Sequence, residues 1–98
     1  MRLRFTSRAL RQFILIAEYI SQDNPSAARK VGRKIRKTCA LLPKLPLIGR
    51  RDIRKGTREL SVSGLPYVIV YQLADDEIVI LGIYHVRQLR PGQKSSDS

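Results

Sequence analysis

Apolar side chains recur at helical spacing as far as Leu42 and at a period of two from Gly56 onward. That change of period constrains the fold more than any other feature, because a stripe spaced for a helix cannot line one face of a strand. Helices must come early and a sheet late, which makes the chain α+β. With 98 residues it holds one domain, since a chain of this size hides roughly two-thirds of its surface on folding. That domain is expected over 1–90, with a flexible tail over 91–98, where no apolar side chain offers an anchor.

Arg2 to Phe5 alternate as a short strand. Thr6 or Ser7 then offers a helix N-cap, and Leu10, Phe13, Ile14, Ala17 and Ile20 follow as the apolar stripe of a first helix. Leu15 and Tyr19, one turn apart on another side of it, are expected to be exposed unless the loop over 43–55 covers them. Asp23-Asn24-Pro25 reads as a stop and restart, with Asn24 capping and Pro25 in the first turn of a second helix. Its stripe is Ala28, Val31, Ile35, Cys39 and Leu42, with Gly32 beside it to let the helices approach.

The stretch from Pro43 to Lys55 is too polar and too interrupted for another long helix and is expected to be irregular. Gly56 to Val62, Pro66 to Leu73 and Glu77 to Val86 then read as three strands joined by short turns at Ser63-Gly64-Leu65 and Asp75-Asp76. Both faces of the middle strand are apolar, which makes it central. His85 stands in phase with Val79, Leu81 and Ile83. The expected architecture is an N-terminal strand and a two-helix hairpin packed on a mainly antiparallel four-stranded sheet.

Lys and Arg total 19 against 8 Asp and Glu, a formal charge of +11. Such an excess on a small domain meets a polyanion or an acidic protein. Much of it lies on the second helix, where Arg29, Arg33 and Arg36 form one row and Lys30, Lys34 and Lys37 the next, with no acid between them. Like charges three and four apart cost a few tenths of a kcal/mol each, so an acidic partner or core packing must offset them. One cysteine and one histidine leave neither a disulfide nor a zinc site, and no metal or cofactor is expected. The opening MRLRF is too short and charged for a signal peptide, and no apolar run nears the ~20 residues of a membrane span, so a cytoplasmic protein without a membrane partner is expected.

Three stretches taken in order resemble the ParE branch of the RelE/ParE toxin superfamily. The junction Asp23-Asn24-Pro25-Ser26-Ala27-Ala28 is similar to the family's NP-x-AA. Leu42-Pro43, Pro46 and Gly49-Arg50, followed by Gly56-Thr57-Arg58-Glu59-Leu60, resemble its L-x-x-x-P-x-x-G-R lead into the sheet. Leu65-Pro66-Tyr67-Val68-Ile69-Val70-Tyr71, with Ile80, Leu81, Ile83, Tyr84 and His85, is similar to LPY-VVY and I-L-x-V-x-H. The resemblance implies a type II toxin held inactive by a cognate acidic antitoxin. It implies DNA gyrase as the target of ParE-like members, and messenger RNA cut on the ribosome for RelE-like relatives. DNA would then be contacted indirectly, through the antitoxin complex.

For a ribonuclease the candidates are Arg58 as phosphate holder, His85 or Glu59 as proton carriers, and Tyr84 or Arg87 in support. Each also has a plain structural reading, His85 as a hydrogen-bonded rim residue and Arg58 as one half of an ion pair. The expectation adopted is a gyrase poison acting by binding; a ribosome-dependent endoribonuclease and a non-catalytic basic nucleic-acid-binding protein are the alternatives. Arg50, Arg51, Arg54, Lys55, Arg58, Arg87 and Arg90 are the candidate contacts to target or nucleic acid. Arg8, Arg11, Leu15, Tyr19, Arg29, Arg33 and Arg36 are the candidate antitoxin contacts.

Overall fold

A computed structural model describes residues 1–88 of the chain. Its elements run β1 (Arg2–Phe5), α1 (Ser7–Ser21), α2 (Pro25–Leu41), β2 (Arg50–Arg51), β3 (Thr57–Ser61), β4 (Tyr67–Ala74) and β5 (Glu77–His85). Thr6 caps α1 by accepting from the Ala9 N–H at 3.1 Å, and Asn24 caps α2 by accepting from Ala27 at 3.0 Å, with Pro25 in the first turn. The helical hairpin is therefore written locally, in two caps and a proline.

The sheet has five strands in the order β1-β5-β4-β3-β2, one more than expected. The added strand is β2, whose two residues pair antiparallel with Glu59 and Arg58 of β3. No alternation of apolar and polar residues announces it, because it is secured by an ion pair between Arg50 and Glu59, at 2.8 Å, rather than by burial. β3, β4 and β5 form the expected antiparallel meander, and β1 lies parallel to β5. As the middle strand of the five, β4 buries Val68 to Tyr71 without a break.

Val70 faces Gly82 across the ladder, yet Tyr71 faces Ile80, so Leu81 is an extra residue bulged out of β5. The bulge reverses the side-chain phase. Ile78 and Ile80 before it and Ile83 after it all enter the helix-side core, while Val79 stays outside that cluster. His85 therefore shares a face with Ile83, Ile80 and Ile78, and not with Val79 as the plain period of two suggests.

The first helix is also turned from its expected setting. Ala9 is buried, and Phe13 and Ile16 pack on the core, whereas Leu10 and Ile14 remain about half exposed. The cause is a polar residue. β1 ends opposite Ile80, so the Ile83 N–H further along β5 has no strand partner, and the Gln12 side chain accepts from it at 2.8 Å. A buried amide left without a partner costs about 1–3 kcal/mol, which draws Gln12 inward and rotates Leu10 and Ile14 toward solvent. Of α2, Ala28, Gly32, Ile35 and Cys39 are buried, and Gly32 lies close enough to α1 that a Cβ there would stand 3.6 Å from the Phe13 ring.

Tyr71 is the largest fully buried side chain among the described residues. Its hydroxyl donates to the Pro46 carbonyl at 2.8 Å and accepts from the Gly49 N–H at 2.9 Å, which ties the chain after α2 onto the centre of the sheet. The Gly49 carbonyl in turn accepts from Arg58 at 2.7 Å. No side chain fits at Gly49, since a Cβ would lie 2.6 Å from the Tyr71 hydroxyl and 2.8 Å from the Glu59 carbonyl. We expect Tyr71→Phe to lower stability by about 1–3 kcal/mol through two orphaned backbone groups, and Gly49→Ala by at least about 1–3 kcal/mol through overpacking. Urea denaturation of both variants measures this; midpoints equal to the wild type would contradict the anchor.

Candidate functional site

The groups proposed for RNA cleavage do not all come together: Arg58 and Glu59 stand at one end of the sheet, and Tyr84, His85 and Arg87 at the other. Arg58 is paired across the sheet with Tyr71, and His85 with Tyr67. Four residues of β4 thus separate them, about 13 Å at ~3.3 Å per residue. Arg58 donates one guanidinium nitrogen's N–H to the Gly49 carbonyl at 2.7 Å rather than pairing with a turn acid. Glu59, one residue on, points to the opposite face of the sheet and is held by Arg50. Tyr84 is also on that face, its ring lying over Gly82 so closely that a Cβ there would be 2.5 Å away. His85 packs edge-on against Tyr67 at 5.5 Å, and its Nδ1 accepts from the Arg87 N–H at 3.1 Å.

The cationic candidates separate in the same way. Arg51, Lys55 and Arg58 line one depression of about 530 Å³ with Leu47, Ile53 and Leu73. Arg50 and Arg54 stand nearby, engaged by Glu59 and Asp52 respectively. Arg87 follows the far end of β5 and does not join them. Arg90, like the tail over 91–98, lies outside the described residues.

The expected antitoxin contacts fall into two places. Arg29, Arg33 and Arg36 rim a groove of about 790 Å³ between α1 and α2, floored by Phe13, Ala17, Ala28 and Gly32. Arg36 lies over the Phe13 ring at 5.8 Å, and among the described residues none of the three makes an ion pair. Leu15 and Tyr19, on the other flank of α1, line a smaller depression of about 290 Å³ with Tyr67 and His85. They are exposed as expected, and the loop over 43–55 contributes nothing to that depression. Tyr67 is pushed above its ordinary pKa by burial, with Tyr19 adding to the rise. Arg8 reaches the Tyr84 hydroxyl at 3.5 Å, and Arg11 is exposed on α1.

Sequence reasoning missed three residues of this surface. Leu47 and Ile53 sit in a segment read as polar, where a single isoleucine in a charged loop gives no periodic signal, and Leu73 reads only as the end of the central strand. Cys39 does no chemistry here, being buried with its thiol pushed up to about 12 by desolvation. Among the described residues no group of three or more His, Cys, Asp or Glu side chains is placed to hold a metal ion, and no helix is long and apolar enough to cross a membrane.

The sequence that folds into this hairpin and sheet is matched over residues 3–90 by the family described as the ParE toxin of type II toxin-antitoxin systems, parDE. The chain belongs to that family. It is 39% identical to toxin Y4kP of Sinorhizobium fredii, over 92% of this chain and 93% of that one. It is 35% identical to toxin RelE2 of Caulobacter vibrioides, over 87% and 94% of the two chains. A chain of the chromosomal ParDE toxin-antitoxin system of P. aeruginosa has the same fold, with a TM-score of 0.79 at 24% identity, covering 87% of this chain and 95% of its own. The E. coli RelBE complex shares the fold more loosely, with a TM-score of 0.61 at 17% identity, covering 84% and 92%. The protein is thus the toxin of a type II pair, and membership in such a system implies a cognate antitoxin.

Proposed function

We propose that this ParE-family toxin arrests growth in the cytoplasm by binding DNA gyrase and trapping it on cut DNA, without chemistry of its own. The observation that carries the reading is the dispersal of Arg58, His85, Glu59 and Tyr84 over two faces and two ends of the sheet. General acid and base must stand within hydrogen-bond reach of one scissile bond, and these do not. What the surface offers instead is binding: apolar depressions with cationic rims.

The cognate antitoxin is an acidic segment whose apolar side chains enter the α1–α2 groove while its carboxylates meet Arg29, Arg33 and Arg36. Among the described residues those arginines make no ion pair, and Glu18 is the one acid lining the same groove, so an acidic partner relieves the repulsion along α2. DNA is contacted indirectly, through the antitoxin complex.

Incubation of the toxin with gyrase, ATP and plasmid, followed by protease and electrophoresis, is expected to yield linear DNA. His85→Gln should keep that activity within about twofold, whereas loss of a true acid or base costs on the order of 10²-fold or more. Absence of linear DNA and of supercoiling inhibition, with folded toxin, would move the target to messenger RNA on the ribosome. For the antitoxin, replacing Arg29, Arg33 and Arg36 by Glu is expected to weaken the complex at least about tenfold, as each lost or reversed charge contact in a partly desolvated rim adds up. Titration calorimetry reads this, and unchanged affinity would remove the antitoxin from the groove.

A further inference from the structure

Ile53 is the most exposed large apolar side chain among the described residues, at 78%. The loop carrying it is not slack. Asp52 and Thr57 close its neck, the Asp52 N–H donating to the Thr57 carbonyl at 3.0 Å and the Thr57 N–H to the Arg54 carbonyl at 3.2 Å. The Asp52 carboxylate, only 4% exposed, sits inside. One of its oxygens accepts from the Ile53 N–H at 2.7 Å and the other from the Arg54 guanidinium at 3.1 Å, while the Thr57 hydroxyl donates to the Arg54 carbonyl at 2.7 Å. Gly56, at φ +81°, supplies the turn that an L side chain resists. A hydrogen-bonded loop therefore presents an isoleucine to water, in a conformation its own contacts favour before any partner binds.

Beside Ile53, Leu47 and Leu73 are exposed too, and with Thr57 they line the depression rimmed by Arg51, Lys55 and Arg58. Among the described residues Asp52 is the only acid there, and it is consumed by Arg54 and the Ile53 N–H. Arg51 and Lys55 make no ion pair among the described residues. An aliphatic centre inside a cationic rim is the composition of a protein-binding hot spot ringed by steering charges. A nucleic acid would use the rim but not the centre, which holds no aromatic ring for a base to stack on. The site shares no lining residue with the α1–α2 groove.

We propose that this loop seats the toxin's protein target: an acidic surface with one protruding apolar side chain, gripped by Ile53, Leu47 and Leu73 while Arg51, Lys55 and Arg58 face its carboxylates. The proposal rests on the toxin acting by binding a protein, and gives that reading a contact surface.

The test compares wild type, Ile53→Val, Ile53→Asp and Lys55→Glu for growth arrest on induction in bacterial cells, thermal midpoint, affinity for the antitoxin, and plasmid linearisation with purified gyrase. Ile53→Val is expected to arrest growth like wild type. Ile53→Asp and Lys55→Glu should need at least tenfold more inducer, with midpoint unchanged and antitoxin affinity within twofold. Full arrest by Ile53→Asp would overturn the proposal. So would a parallel loss of antitoxin affinity, which would assign the surface to the antitoxin. If wild type arrests growth without linearising plasmid, the gyrase reading falls, and the same Ile53 variants still decide the surface through arrest alone.

Discussion

The hydroxyl of Tyr71 is shared between the Pro46 carbonyl and the Gly49 N–H at the buried centre of the sheet, and the second half of the molecule is arranged around that contact. It brings the chain leaving α2 back across the helix-side face and delivers Arg50 and Arg51 to the edge of β3. Arg58 closes the arrangement by holding the other side of the Gly49 peptide. From this anchor follow the fifth strand, the closed loop between β2 and β3, and the exposure of Ile53 at its tip. Only glycine fits at the junction, so the requirement is steric as well as polar.

Most of the fold is legible in the chain because its signals are local. Thr6, Asn24 and Pro25 act within a turn of themselves, and the unbroken apolar run of β4 marks a central strand wherever it folds. The departures arise where a long-range contact decides. Gln12 turns α1 because a backbone donor 71 residues away needs it. The Leu81 bulge resets the phase of β5, and with it the face of His85, through a pairing with β4 that no period reveals. β2 pairs with β3 where the Tyr71 anchor delivers Arg50 to Glu59, nine residues away in the chain.

The functional residues divide along the same line. Charge on α2 was visible as an acid-free row, and the structure sets Arg29, Arg33 and Arg36 on one groove. The loop cations are visible as a run, but what makes Arg51, Lys55 and Arg58 a surface is Leu47, Ile53 and Leu73 among them, which come from a loop and a strand that no single period joins. The motif glycine and tyrosine, Gly49 and Tyr71, carried the family resemblance, and their physical meaning is the anchor. One small fold thus carries two separate apolar surfaces with cationic rims, one proposed to take the antitoxin and the other the target.

Neutralisation and attack from different faces both require that separation. Hydrogen–deuterium exchange of the toxin alone, with antitoxin and with gyrase, measures it directly, because bound partners slow local opening where they sit. Gyrase is predicted to slow exchange across 47–58 and leave 13–36 as in the free toxin, and antitoxin to do the reverse. Protection of 13–36 by gyrase, or of one and the same segment by both partners, would contradict it.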